Sequence, residues 1–319
     1  MTDLHVGEEI GGTKIQVVAV REGSVIASHR TSTPAAGVRE LVGAIAEGID
    51  KVLAGSGAAV ADVRGIGVGV PGAVDVAAGT VASANNVPGL EPSEPTPLAE
   101  LVSRAAGAPV RLENDAHVAT LGEWTRGAGR PYRDFLTVWV GTGVGGGLVL
   151  DGKLHEGQGA AGEIGHLVIK PGGRVCSDGR RGHLEAYAGR GRMEARARSL
   201  LKAGRKTVLF DLMEKKRRTR LTSGVIADAL ERGDKVAHEL VDDAVWALGL
   251  AIASVQNLLA LQAVVIGGGL GDRLGAPFIE RIAAEMQSQL FVPDRPPTIL
   301  GTEFGDLSGA VGAAVLVGA

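Results

Sequence analysis

Residues 4–20, LHVGEEIGGTKIQVVAV, carry two apolar runs divided by a Gly/Thr turn, and a third run, VIASHR, follows the break REGS. Apolar runs punctuated by glycine turns predict a three-stranded meander. The plan returns at Phe135 to Gly157 as FLTVWV, the turn GTGVGG, GLVL, an Asp-Gly turn at Asp151-Gly152, and KLHEG. Such a repeat predicts an internal duplication of one nucleotide-cradling unit, the plainer alternative being two unrelated Gly-rich hairpins. Between the meanders, Gly37 to Leu53 predicts a helix, Val63 to Val70 a strand, Leu98 to Ala106 a helix and Val110 to Leu112 a strand. Beyond them, Arg192 to Gly249 is mostly helical, with Thr222-Ser223 a cap before Val225 and Gly233 a stop. A helix ending near Leu261, a strand Ala263 to Ile266, the loop Gly267-Gly268-Gly269 and a helix from Ala276 to Leu290 with Pro277 in its first turn come next. The tail, Leu307 to Val317, is an Ala/Gly-rich helix suited to close packing. Alternating strands and helices make the fold class α/β.

At 319 residues the chain exceeds one ordinary core and predicts two lobes. With 45% hydrophobic and 22% charged residues it is a globular chain, not a collagen-like, mucin-like or disordered one. Its 49 glycines and 3% aromatic content point to tight turns and close backbone approach to a ligand rather than to stacking platforms. The net charge of −3 provides no field for nucleic acid or an anionic membrane, so small molecules are the expected partners. One basic stretch, Lys170 to Arg220, holds 16 basic against 5 acidic residues and reads as a solvated helical surface. A single cysteine, Cys176, excludes an intrachain disulfide; with no secretory signal at the start, a cytoplasmic location is expected. The longest apolar stretch, Ala244 to Ile266, is broken by Ser254, Gln256, Asn257 and Gln262 and reads as a buried helix running into a strand.

Four segments carry candidate chemistry. IGGTK, Ile10 to Lys14, sets backbone N–H groups, a hydroxyl and a cation in one turn, as a terminal phosphate requires, without the spacing of a P-loop. GTGVGGG, Gly141 to Gly147, repeats that chemistry with Thr142. In LENDAHVATLGEW, Asn114 and Asp115 stand between a strand and a helix, where Asp115 is either an N-cap or the carboxylate that accepts an alcohol proton during phosphoryl transfer. Finally, His166, Cys176, Asp178 and His183 offer N, S, O and N donors within eighteen positions. That set suits zinc, and equally reads as surface histidines beside a buried thiol.

IGGTK, END at Glu113 to Asp115, GTGVGGG, GEIGH at Gly162 to His166, CSDGRRGHLE at Cys176 to Glu185 and VVIGGG at Val264 to Gly269 together resemble, in order and spacing, the ROK family of sugar kinases and repressors, and most of all its glucokinase-like members. The resemblance covers essentially the whole chain, and GExGH followed by CxxGxxGxxE is its most specific part. It implies a two-lobed actin/hexokinase-like (ribonuclease H-like) fold with duplicated βββαβα units. Residues 1–117 with 303–319 would form a small lobe, and 118–302 a large lobe holding the nucleotide and zinc sites. Asp115 would be the catalytic base. Asn114, Glu163, His166 and Glu185 would hold sugar hydroxyls, with Gly72 and Asn86 lining the same pocket. Glu9, Gly11, Gly12, Thr13 and Lys14, with Gly141, Thr142 and Gly143, would serve the ATP phosphates and Mg²⁺. Gly267, Gly268 and Gly269 would lie by the adenosine. His166 would also join Cys176, Asp178 and His183 around a structural Zn²⁺, and a homodimer or homotetramer is expected.

Two departures stand out. The family pattern CxCGxxGCxE has Asp178 and His183 here at its second and third cysteine positions, and the usual Asp before IGGTK is Glu9, preceded by Glu8 where an apolar residue is typical. The expectation is an ATP- and Mg²⁺-dependent hexose kinase, acting on the 6-hydroxyl of glucose or on mannose, fructose, N-acetylmannosamine or N-acetylglucosamine. Two further readings are a sugar-responsive repressor, for which no N-terminal helix-turn-helix precedes the first strand, and a catalytically impaired sugar-binding protein.

Overall fold

A computed structural model describes residues 3–84, 87–90 and 94–318. They divide into two compact units: 3–131 with 153–161 and 306–318, and 132–152 with 162–305. The expected lobe boundary at 117/118 falls inside a helix that packs on the C-terminal helix and stays whole in the first unit.

The first unit opens with the meander β1 (Leu4–Ile10), β2 (Lys14–Arg21) and β3 (Ser24–Ser32), followed by α1 (Val38–Ser56), β4 (Val63–Val70), the small hairpin β5 (Ala73–Asp75) and β6 (Thr80–Ser83), α2 (Leu98–Ala106), β7 (Val110–Asn114) and α3 (Asp115–Thr125). Its sheet has the order β3-β2-β1-β4-β7, antiparallel across the meander and parallel from β1 to β7. In α1, Leu41, Ile45, Ile49 and Val52 recur at helical spacing and are buried in the core with Val6, Ile66, Val68 and Leu112. The helix ends at Gly57, whose left-handed backbone returns an N–H to Ala54 O. β4, VRGIGVGV, alternates branched residues with glycine: Ile66, Val68 and Val70 face that core, whereas the glycines leave the other face of the sheet open to helix backbone.

The second unit repeats the plan with β8 (Phe135–Val140) and β9 (Val144–Leu150), to whose sheet β10 (Lys153–Leu154) adds an edge. A long insertion follows, holding α4 (Glu185–Ala188), α5 (Arg190–Lys202), α6 (Leu209–Lys215) and α7 (Ser223–Glu231). Then come α8 (Lys235–Leu259), β11 (Ala263–Gly267), α9 (Gly268–Gln287) and β12 (Thr298–Gly301), while α10 (Ser308–Gly318) belongs to the first unit. The order β10-β9-β8-β11-β12 matches the first sheet strand for strand, as duplication of one unit demands.

Two details differ from the expected elements. The turn of the second meander is only Gly141–Gly143, and Val144 to Gly147 already belong to β9. The glycine loop and the following helix form one element broken at Gly275 (φ 62°, ψ −150°), so Pro277 opens the helix beyond the break. The apolar stretch 244–266 separates into the end of α8, a left-handed stop at Ala260 and β11. Among the described residues no helix is long and apolar enough to cross a membrane. The basic stretch is helical only from Glu185 on, over α4, α5 and α6, and there it is laced with ion pairs, Arg196 and Arg205 to Glu239, Arg198 to Glu194 and Lys216 to Asp228, whereas its first part is irregular loop.

Candidate active site

In the first unit, β7 runs directly into α3, and Asn114 rather than Asp115 is the cap. Its Oδ1 accepts from Ala116 N at 2.9 Å and His117 N at 3.3 Å, while its Nδ2 donates to Gly72 O at 3.2 Å. Gly72 lies in the left-handed region (φ 94°), and a Cβ there would sit 1.9 Å from Ser83 O. The expected pair Asn114 and Gly72 is thus brought together; Asn86 lies outside the described residues. Freed from capping duty, Asp115 stands in the first turn of α3 and accepts from Ala116 N at 2.9 Å.

Beneath this turn, the buried His117 ring sets Nδ1 3.2 Å from Glu113 Oε1 and Nε2 3.1 Å from Ala161 O. Burial works to lower its pKa, but Glu113 and the Ala161 carbonyl outweigh it and hold the ring above its ordinary value. Two acceptors on opposite sides of one imidazole suit the form with both N–H groups.

The IGGTK turn closes by Gly11 N donating to Lys14 O at 2.8 Å, with Gly12 and Thr13 exposed at its tip. Lys14 and Arg30 donate to Asp306 at 2.9 Å and 2.8 Å. Glu9, at the end of β1, is pushed up to about 7, first by burial, with Asp115 and Asp306 adding to the rise and Lys14 and Arg30 opposing it. Burial works to raise Asp306, but Lys14 and Arg30 hold it below the usual carboxylate range, whereas Glu9 and Asp115 offer hard oxygens of the kind Mg²⁺ takes, one or two carboxylates plus phosphate oxygens. Arg30 and Asp306 carried no sequence signal, since they come from strand β3 and from the turn before α10.

In the second unit, the turn at Gly141 mirrors the first: Gly141 N donates to Gly143 O at 2.9 Å and Thr142 is exposed. Gly268 has φ 79°, and its missing Cβ leaves room for the backbone of Val140, so the glycine loop packs against the end of β8 just before the second turn. Glu185, expected to hold sugar, is a buried strap. Its Oε2 accepts from Val144 N at 3.0 Å, and its Oε1 accepts from Cys176 Sγ at 3.4 Å and from the Ser177 hydroxyl. Glu163 and His166 are more open, with Glu163 Oε2 3.9 Å from His166 Nε2.

His166, Cys176, Asp178 and His183 converge, with one donor atom from each within 4.8 Å of all the others. His166 Nδ1 lies 3.3 Å from His183 Nδ1 and 3.4 Å from Asp178 Oδ2, and His183 Nδ1 lies 3.3 Å from the same carboxylate oxygen. Ligands of a tetrahedral zinc with bonds of about 2.0–2.3 Å stand about 3.3–3.8 Å apart, so the His166, Asp178 and His183 atoms already have ligand spacing, and Cys176 Sγ lies within 4.8 Å of them to complete an N, O and S set that suits the ion. Burial raises the Cys176 thiol; it also works to raise Asp178, but the Arg180 N–H, Cys176 and both histidines hold that carboxyl below its usual range.

Comparison with known proteins agrees with this architecture. The ROK family model matches residues 5–319. Glucokinase of Halalkalibacterium halodurans is 33% identical over 290 residues, covering 88% of this chain and 85% of that protein. N-acetylmannosamine kinase of Vibrio cholerae is 29% identical over 91% of each chain. The crystal structure of a ROK family glucokinase from Streptomyces griseus, in complex with glucose and AMPPNP, superposes with a TM-score of 0.82 at 30% identity over 98% of both chains. With a family match over residues 5–319 and a relative 33% identical over 88% of its length, this chain belongs to the ROK family.

Proposed function

We propose that the protein is an ATP- and Mg²⁺-dependent hexose kinase that phosphorylates the 6-hydroxyl of glucose. The observation that carries this reading is Asp115, held in the first turn of α3 by a cap it does not itself supply and lying within electrostatic reach of Glu9 beside the IGGTK turn. Asp115 accepts the proton of the sugar hydroxyl and orients its oxygen, a role worth about 10²–10⁴ in rate. Asn114, Gly72, Glu163 and His166 hold the ring hydroxyls, and Glu185 fixes the loops around them. Exposed Thr13 and Thr142, with the N–H groups of their turns, contact the phosphates, and Gly267 to Gly269 let the backbone approach the adenosine. Bound Mg²⁺ would neutralise phosphate charge, with Glu9 the residue to hold it. The similarity to glucokinases of H. halodurans and S. griseus supports glucose as acceptor; the match to V. cholerae N-acetylmannosamine kinase keeps an N-acetylhexosamine as the second reading.

The test is ADP release measured over a panel of hexoses and N-acetylhexosamines, with glucose affinity measured by calorimetry. Glucose gives the highest kcat/KM, and Asp115→Asn lowers kcat by about 10²-fold or more while glucose affinity changes little. Glucose binding without ADP release from any sugar would replace the kinase with a sugar-binding protein, as the change to Glu9 allows. Equal loss of turnover and affinity in Asp115→Asn would make that residue structural.

A further inference from the structure

Arg190 lies where three segments of the second unit meet. It is the first residue of α5, and the backbone there is already committed: Arg190 N donates to Gly141 O at 3.1 Å and Gly191 N to Thr142 O at 3.0 Å. The N-terminus of α5 therefore clamps the turn rather than facing a ligand with those N–H groups. Its side chain, half-buried, reaches further. Nη2 donates to Thr142 Oγ1 at 3.3 Å, and Nη1 donates to the buried Ser223 Oγ at 2.6 Å at the start of α7. A Cβ at Gly269 would stand only 2.7 Å from Nη1, so the glycine loop leaves the space that the guanidinium fills.

This cation thus touches the hydroxyl of one expected phosphate turn and abuts the glycine loop expected beside the adenosine. A planar guanidinium matches phosphate oxygens with paired N–H donors, and the bond to Thr142 sets one terminal nitrogen of this one at the expected phosphate turn. Ser223 and Thr142 fix the plane of the fork and so reduce the rotamer freedom lost on binding. Neither residue stood out in the sequence, because Arg190 is one of many arginines in a basic stretch and Ser223 reads as part of a helix cap.

We propose that Arg190 is a phosphate-contacting residue of the nucleotide site, oriented by Ser223 and Thr142. The inference rests on the kinase reading and deepens it by naming the group that recognises the phosphate chain rather than the base. Calorimetry on the full-length protein with ADP, adenosine and glucose tests it, using wild type, Arg190→Ala and Arg190→Lys. In Arg190→Ala, ADP affinity falls about 10- to 100-fold, while adenosine and glucose affinities stay within about twofold; Arg190→Lys recovers part of the loss. Unchanged ADP affinity overturns the proposal, and so does an equal fall for ADP and adenosine, which marks a collapsed loop. A wild-type protein that binds glucose but neither ADP nor adenosine overturns the kinase reading as well. If Arg190→Ala does not fold, the comparison of wild type with Arg190→Lys decides: an ADP-induced rise in Tm equal in the two, across a titration of ADP, counts against a guanidinium contact.

Discussion

Glu8 shares a face of β1 with Val6 and Ile10, pairs across the sheet with Val17 and Val68, and is fully buried; neither carboxyl oxygen has a hydrogen-bond partner among the described residues. Desolvation pushes its pKa up to about 8. The folded state therefore holds a proton that the unfolded chain, with a pKa near 4.5, releases, so this residue's contribution to stability is most favourable below pH 4.5 and declines as pH rises toward 8. Between pH 5.5 and 8 the decline is on the order of 3 kcal/mol. Glu8→Leu is expected to raise stability, with a gain that widens across that range; urea unfolding of both proteins at pH 5.5 and pH 8 checks it, and a gain independent of pH would mean that Glu8 finds a partner. The sequence marked Glu8 as an unusual residue before the IGGTK turn, but its isolation follows from neighbours on β2 and β4 that no local pattern ties to it. The same holds at Asp115. Its place after a strand was legible, whereas the transfer of capping to Asn114 depends on Gly72, more than forty positions away, anchoring the asparagine amide.

At the scale of elements, most of the fold could be read from pattern because each strand and helix declares its own period. Val63 to Val70 and Leu98 to Ala106 form as expected and α7 starts at its threonine cap, whereas α1 runs past the expected end at Leu53 to Ser56, where Gly57 stops it. What pattern cannot supply is the partner of a glycine face. The open side of β1 and β4 receives α10: a Cβ at Gly7 would lie 1.9 Å from Ala310 O, one at Gly67 1.8 Å from Ala313 O, and one at Gly312 1.6 Å from Val118 O on α3. These contacts are backbone against backbone and cannot relax by a rotamer change. Gly312→Ala is accordingly expected to cost at least about 3 kcal/mol. In the same unit, Gly43 in α1 has nothing within 4 Å of an added Cβ, and Gly43→Ala should stabilise by about 0.5–1 kcal/mol through helix propensity. Thermal melts of the two variants separate packing from propensity, since opposite shifts are expected from one chemical change.

Across the whole molecule, duplication explains the two sheets, and the insertion explains what the second copy adds. The first copy passes from β3 to α1 within a few residues, whereas the second carries the segment from 155 to 234 between β10 and α8. The front of that insertion, 167–183, has little regular structure. Two isolated bridges, Val168 with His183 and Val175 with Arg181, turn hydrogen bonds such as Ile169 N to Gly182 O and Cys176 N to Arg180 O, and the contacts of Arg174 with Tyr187 and Asp243 hold it. The four candidate zinc donors fall in and beside this segment, and from it Cys176 and Ser177 reach Glu185, which in turn holds Val144. A metal that gathers His166, Cys176, Asp178 and His183 would thus add a fastening to a loop otherwise held by turn hydrogen bonds and the Arg174–Asp243 ion pair, and binding energy at such a site is folding energy. The motif spacing made the donor set legible as a possibility; its convergence required the loop to turn back on itself, which the left-handed glycines Gly179 and Gly182 permit and which spacing alone does not specify. Arg180 and Arg181 are exposed on this loop and provide the reporter. Protein prepared with zinc and then stripped with a chelator should be cut by trypsin at Arg180 or Arg181 several times faster than the zinc-loaded form, with elemental analysis giving one zinc per chain before stripping and mass spectrometry locating the cut. Equal cleavage of the two preparations would show that the loop's own hydrogen bonds suffice and that the Asp178 and His183 replacements have left a site without a structural metal.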